Sequence, residues 1–137
     1  MNAITLPFHL IIPALISILI LGFIGYNKKR LFGASKWKWF WISLTTFLFL
    51  YVVLIGSAIY SGVSAELALQ KFDLNKDGFF SGDEISLEQR AAMKKVTSDT
   101  GRNFIVITGL LFSGMIAVVV FVVGKTAEYL KNRKRTN

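Results

Sequence analysis

Residues 39–65 read WFWISLTTFLFLYVVLIGSAIYSGVSA, a run of 27 residues without a single Asp, Glu, Lys or Arg. As a helix, this run would be about 40 Å long, more than the roughly 30 Å of a bilayer's hydrocarbon core. Two further runs lack these charges, namely Ile4 to Tyr26, with 23 residues, and Asn103 to Gly124, with 22. Three such runs in 137 residues predict three membrane-spanning helices and exclude a soluble globule.

The overall composition agrees with a membrane protein and narrows the chemistry. Apolar residues make up 53% of the chain and charged residues 18%, compared with about 25% charged residues in an ordinary soluble domain. The sequence contains no cysteine, which excludes disulfides, a thiol nucleophile and a thiolate metal site. With His9 as its one histidine, the chain is also a poor candidate for a zinc site or a Ser/His/Asp triad. We therefore expect no enzyme.

The distribution of charge predicts how the spans are oriented. The first loop has five basic and no acidic residues, and the C-terminal tail has five basic residues against Glu128 alone. Between the second and third runs, six basic residues face seven acidic ones. Because Lys and Arg are retained in the cytoplasm during insertion, we expect the first loop and the tail on the cytoplasmic side of the membrane. The membrane is expected to be the plasma (inner) membrane. Contact with anionic membrane lipids accounts for the basic tail, and we expect no nucleic-acid partner.

The segment outside the membrane contains a specific motif. Residues 73–84 read DLNKDGFFSGDE and match the pattern D-x-[DN]-x-[DN]-G-x5-E at every specified position. A chance match in a chain of this length is expected on the order of once in several thousand sequences. The segment therefore resembles the calcium-binding loop of the EF-hand family.

The resemblance implies a Ca²⁺ site made of oxygen ligands. Ca²⁺ takes six to eight oxygens at roughly 2.3–2.6 Å, and a tightly wound loop can supply them from alternate positions. Gly78 would form the sharp turn, and Ser81 with Glu84 would form a capping box at the start of the exit helix. The implied ligands are the side chains of Asp73, Asn75 and Asp77, the carbonyl of Phe79, Ser81 directly or through water, and both carboxylate oxygens of Glu84.

Sequence signals on both sides of the loop predict two helices. The first is expected to start at Ser64, and the second to run to about Thr100 and end at Gly101. Alternatively, Ser86 with Gln89 could cap a second short helix, which would bend the exit. Only one such loop occurs in the chain, so we expect weak binding, with a Kd of about 10⁻⁴ to 10⁻³ M.

These observations predict an all-α fold in which a helix-loop-helix EF-hand lies outside the cytoplasm, between the second and third of three transmembrane helices. In chain order, the predicted parts are a first span at 4–26 with the N-terminus outside, a basic cytoplasmic loop at 27–38, a second span at 39–62, the EF-hand at 63–101, a third span at 102–124 and a basic cytoplasmic tail at 125–137.

The function expected from this arrangement is that of a membrane calcium sensor or a calcium-stabilised accessory subunit. One alternative is a homo-oligomeric calcium-gated channel, with a pore lined by the small residues Gly109, Ser113 and Ala117 of the third span. Another is a purely structural subunit of a larger membrane complex. The sequence leaves open whether the small-residue face packs on another span of the same chain or on another subunit.

Overall fold

The computed structural model describes residues 7–33, 36–75, 78–97 and 100–136, without the side chains of residues 83, 100–103, 135 and 136. All regular secondary structure in this part of the chain is helical. The elements are α1 (Phe8–Tyr26), α2 (Lys28–Phe32), α3 (Lys38–Gln70), a 3₁₀ turn (Gly82–Glu84), α4 (Leu87–Thr97) and α5 (Thr100–Thr136).

Three of these helices are long and apolar enough to cross a membrane. They are α1, α3 and the segment Phe104–Lys134 of α5. Most of their large apolar side chains are exposed in the isolated chain, among them Leu19, Phe49 and Met115. A soluble protein rarely exposes apolar surface on this scale, whereas a bilayer would cover it. The predicted all-α class with three spans is confirmed.

The three long helices run antiparallel, with α3 in the middle. Buried residues near the start of α1, Leu10 and Ala14, belong to one apolar cluster with Ile55 and Ala58 from the second half of α3. Val106, near the start of α5, packs against the same cluster. The N-terminal end of α1, the C-terminal half of α3 and the N-terminal end of α5 therefore lie together at one end of the bundle.

The small-residue face of the third span packs against α3 of the same chain. Gly109 lies within 3.7 Å of the side chains of Leu54 and Tyr51, measured from the position a Cβ would occupy. Ser113 is fully buried, and the Ser43 hydroxyl donates a 2.5 Å hydrogen bond to the carbonyl of Ala117. Small residues allow helices in a membrane to approach this closely. The sequence did not decide which helix packs on this face, and in the structure it is α3 of the same chain.

Both ends of the α3–α5 pair extend beyond the predicted spans. The second span was predicted to end at residue 62, with a new helix starting at Ser64, but α3 continues unbroken to Gln70. The Ser64 hydroxyl donates to the carbonyl of Tyr60 within the helix and caps nothing. Ala65, Leu67 and the other residues after it are good helix formers, which explains the continuity.

The start of the last helix also differs from the prediction. Helix α4 is described over Leu87–Thr97, and residues 98 and 99, just before the predicted end near Thr100, lie outside the described residues. Gly101 lies inside the first turn of α5 and does not terminate a helix there. At the other end, α5 runs on to Thr136, so the third span and the tail form one helix. This helix is about 55 Å long, so at least one end must project from a hydrocarbon core of about 30 Å.

Candidate metal centre

The candidate loop begins where α3 ends. The amides of Phe72 and Asp73 donate to the carbonyls of Leu69 and Gln70, at 3.1 and 3.2 Å, and these three-residue spacings tighten the last turn. The chain then leaves the helix axis at Asp73. The loop therefore lies at the opposite end of α3 from Lys38 and the basic residues near it.

Glu84 closes the loop from its last position. Its Oε1 accepts hydrogen bonds from the amides of Leu74, at 2.8 Å, and Asn75, at 3.1 Å, and its Oε2 accepts one from the amide of Ser81, at 3.2 Å. The side chain is only 8% exposed. A buried carboxylate must be satisfied by donors or cations, and here three backbone amides fix its position inside the loop.

Asp73 occupies the first position of the loop and is also buried, at 6% exposure. Its Oδ2 accepts a 3.1 Å hydrogen bond from the amide of Gly78. Gly78 has a φ of 85°, a conformation that glycine adopts without the steric cost of a Cβ. This positive φ agrees with the turning role that the motif implies for Gly78, and the amide of Gly78 lies against the first carboxylate.

The exit from the loop is bent. Ser81 and Glu84 form the predicted capping box, but the helix they start is a single 3₁₀ turn. A second cap follows, in which the Ser86 hydroxyl accepts the amide of Gln89 at 3.0 Å, and α4 begins at Leu87. The alternative in which Ser86 caps a separate short helix is therefore the correct one.

Helix α4 folds back onto the end of α3. Ala65 of α3 is buried, as is Gln89 in the first half of α4, and the two helices enclose a cavity of about 290 Å³ near Ala68, Ala92 and Lys95. The short helix after the loop thus rests directly on the extension of the second span. Any change in loop shape that moves α4 must also change this contact.

The predicted ligands divide into three groups. Asp73 and Glu84 are buried and their carboxylates are held by loop amides. Asn75, Phe79 and Ser81 are described but their side chains are not buried, and Phe79 is 76% exposed, as suits a residue that would contribute only its carbonyl. Asp77 lies outside the described residues, as does the side chain of Asp83.

The described residues suit a hard cation that prefers oxygen. Two buried carboxylates come from the first and last positions of a loop that turns sharply at Gly78. No group of three or more His, Cys, Asp or Glu side chains that could hold a metal occurs among the described residues. Asp77, the third predicted carboxylate, lies outside those residues, and the other predicted ligands are amide, hydroxyl and carbonyl oxygens.

The backbone amides of Leu74, Asn75 and Ser81 are the part of the site that sequence reasoning missed. They donate hydrogen bonds to the Glu84 carboxylate within the loop, and no residue type at these positions signals such a contact because every residue except proline has an amide. The apolar wall beside the loop was missed as well. Phe80, Ile85 and Met93 form one side of a cavity of about 410 Å³, whose other lining residues, Gln89, Arg90, Lys94 and Thr97, are polar or charged.

Fold and composition together define a multi-pass α-helical membrane protein with a buried pair of carboxylates in a loop at one end of its helices. No protein-family model, curated protein or solved structure matches this chain.

Proposed function

We propose that this chain is a membrane calcium-binding protein in which a single EF-hand loop couples Ca²⁺ outside the cytoplasm to the packing of the membrane helices. It acts as a calcium sensor or a calcium-stabilised accessory subunit. The proposal includes a plasma (inner) membrane location, with the first loop and the tail in the cytoplasm, as the excess of Lys and Arg in these segments favours.

The observation that carries the proposal is the position of Glu84. A glutamate at the last of twelve loop positions reaches back to the amides of Leu74 and Asn75 and is buried there. An exposed acidic loop with no ligand would gain by leaving its carboxylates in water, because burial costs free energy. Holding Glu84 and Asp73 inside the loop prepares both of them for a cation.

The residues that would hold Ca²⁺ are those the motif implies. Asp73 and Glu84 would contribute the carboxylates that are already inside the loop. Asp73 Oδ2 and Glu84 Oε2 each accept one of the loop amides and keep a second lone pair for a cation, whereas Glu84 Oε1 accepts two amides and would have to give up one of them to bind Ca²⁺. Asp77 and Asn75 would supply further side-chain oxygens, Phe79 its carbonyl, and Ser81 a direct or water-mediated ligand. When bound, Ca²⁺ supplies two positive charges that outweigh the amide dipoles now balancing these carboxylates.

The continuity of α3 strengthens the proposed coupling. The sequence suggested a short connection between the second span and the helix before the loop, whereas one helix serves as both. Glu84 lies between this helix and α4, so a change in the angle between α3 and α4 on calcium binding would act on the buried contacts near Ala65. Calcium would then alter the packing of α4 on the second span without an intervening flexible segment.

The packing of the small residues bears on the channel alternative. Ser113 and Ala117, which would line the pore, are buried against α3 of the same chain. In this arrangement the two residues contact α3 and do not face a pore. A role as a subunit of a larger membrane assembly remains compatible with the apolar outer faces of α1 and α5, and the accessory-subunit form of the proposal includes it.

Direct measurement of calcium binding tests the proposal. Equilibrium dialysis with radioactive Ca²⁺, on the full chain in a neutral detergent, should give one ion per chain and a Kd of about 10⁻⁴ to 10⁻³ M. Glu84→Gln should weaken binding about tenfold or more, since it removes a charged ligand. Glu88→Gln is the matched control because Glu88 is exposed in the first turn of α4, outside the loop.

Three results would contradict the proposal. The first is no binding at millimolar Ca²⁺, and the second is equal loss of binding in the two variants. The third concerns the coupling: if Glu84→Gln removed calcium binding while the thermal stability of the helices showed the same calcium dependence as before, the loop would not communicate with the spans.

A further inference from the structure

The second feature of interest lies at the opposite end of the molecule, between the start of α3 and the extension of α5. A cavity of about 310 Å³ opens there, large compared with the roughly 30 Å³ occupied by one water molecule. It is lined by Lys38, Trp39, Ala127, Glu128, Lys131 and Asn132.

The cavity lies at the level where the membrane's hydrocarbon would end. Trp39 begins the charge-free run of the second span and Gly124 ends that of the third. The ring of Trp39 lies directly on Gly124, so the two run ends are at the same height. Tryptophan is also the residue favoured at the boundary between hydrocarbon and headgroups. The cavity, formed by residues just beyond these two, therefore opens at headgroup depth.

The walls of the cavity favour an anion. Lys38 and Lys131 are both exposed, one on each helix. The one acidic residue of the wall, Glu128, forms a salt bridge with Lys125, in which the Nζ of Lys125 lies 3.5 Å from the Oε2 of Glu128. The positive charge of the two wall lysines is thus left uncompensated by the acidic side chain beside them.

Contacts between the helices hold the cavity in shape. The Nζ of Lys125 also donates a 3.1 Å hydrogen bond to the carbonyl of Lys36, which joins the loop before α3 to α5. The Nζ of Lys38 lies 5.9 Å from the centroid of the Trp39 ring, at the outer limit of a cation–π contact. The hydrogen bond of Lys125 holds the residues just before α3 next to the α5 extension, and the contact with Trp39 orients Lys38 within α3.

We propose that this cleft binds the phosphate headgroup of one anionic phospholipid, with Lys38 and Lys131 contacting the phosphate and the acyl chains lying against the apolar helices below. Basic pockets between membrane helices at headgroup level are suited to such lipids. A lipid fits better than a soluble anion because the cleft lies beside Trp39 at the end of the charge-free runs, where acyl chains can reach the apolar surfaces of the helices. The proposal does not depend on the calcium site.

Native mass spectrometry of the full chain, released from neutral detergent micelles, tests this proposal. The micelles contain dilute phosphatidylglycerol or phosphatidylcholine with the same acyl chains. We expect one phosphatidylglycerol to be retained at concentrations at which phosphatidylcholine is lost. In the double variant Lys38→Gln with Lys131→Gln, retention should fall about tenfold or more, since each lysine near a lipid surface contributes a factor of about five.

A charge-matched double variant, Lys28→Gln with Lys134→Gln, is the control. Both of its positions are exposed and neither lines the cleft, so retention should stay within about threefold of the original chain. Arginine at positions 38 and 131 should preserve retention because it keeps both charges. Inorganic phosphate at 10 mM should leave the lipid bound, since it lacks acyl chains.

Equal loss in the two glutamine pairs would show a diffuse charge effect and overturn the proposal. Equal retention of phosphatidylcholine and phosphatidylglycerol would overturn it as well. Displacement of the lipid by inorganic phosphate would identify a soluble anion as the occupant, and the lipid assignment would be wrong.

Discussion

Gly124 provides a quantitative test of how α3 and α5 pack. A Cβ at this position would lie 2.0, 2.3 and 2.5 Å from Cε3, Cδ2 and Cζ3 of Trp39, whereas ordinary contacts begin near 3.4 Å. The ring must therefore move by more than 1 Å, or the helices must separate. Forcing extra atoms into a packed interface costs about 1–3 kcal/mol. We expect Gly124→Ala to destabilise the helix pair by about this amount, apart from the change in helix propensity.

Gly56→Ala separates packing from propensity. Both glycines lie inside helices, so each replacement by alanine gains up to about 1 kcal/mol of propensity, but a Cβ at Gly56 meets no atom within 4 Å. The free energies of unfolding of the two variants should thus differ by about 1–3 kcal/mol. Titration with denaturing detergent can be followed by tryptophan fluorescence, because Trp37, Trp39 and Trp41 all lie at this end.

A double-mutant cycle locates the cause. In a Trp39→Ala background the ring is absent, so Gly124→Ala should become as harmless as Gly56→Ala, giving a coupling energy of about 1–3 kcal/mol between positions 39 and 124. Equal stabilities of the two single variants, or additive effects in the cycle, would refute the packing of Trp39 on Gly124.

Three further predictions concern the hand and the helix interface. Removing the cap with Ser86→Ala should cost about 1 kcal/mol and speed hydrogen exchange at the amide of Gln89. Calcium at 100 times its Kd should stabilise the folded chain by about 2.7 kcal/mol, and Glu84→Gln should abolish this stabilisation in a thermal melt. Ser113→Leu should cost about 1–3 kcal/mol in the same assay, because Ser113 is fully buried, whereas Val119→Leu at an exposed position should have little effect.

Each of these predictions has a clear contrary result. Unchanged exchange at Gln89 would mean that Ser86 does not cap α4. A calcium-dependent melt that survives Glu84→Gln would place the ion elsewhere. Equal stabilities of the Ser113 and Val119 variants would contradict the burial of the small-residue face.

The spans could be predicted from the sequence because one physical constraint dominates them. A helix that crosses hydrocarbon excludes charges over about 20 residues, so the distances between charged residues locate it. The ends of the helices were harder to predict. Ser64 and Gly101 are residue types common at helix ends, yet a helix can contain either of them when the neighbouring residues favour a helix. At Ser64 the hydroxyl simply bonds to the carbonyl of Tyr60.

Partner choice between helices could not be predicted in the same way. The spacing of Gly109 and Ser113 indicates a packing face, but it does not identify the residues that pack against it. The structure supplies Tyr51 and Leu54 on α3. Likewise, the pairing of Trp39 with Gly124 joins positions 85 residues apart, and no local pattern specifies it.

The candidate site was predictable to the extent that a fixed spacing determines it. The turn at Gly78 and the capping box at Ser81 follow from residue types at set positions, and both are present. The contacts of Glu84 with the amides of Leu74 and Asn75 depend on how the loop closes, which residue types do not encode.

Site-resolved calcium titration tests the central claim most directly. Amide NMR of the full chain in detergent micelles would follow Leu74, Asn75, Gly78 and Ser81, whose amides donate to Glu84 or Asp73. We predict that these four signals shift together and saturate with a Kd of about 10⁻⁴ to 10⁻³ M, while the amide of Trp39 at the other end of α3 stays unchanged. Four signals that do not move up to 10 mM Ca²⁺ would contradict the assignment of this loop as a calcium site.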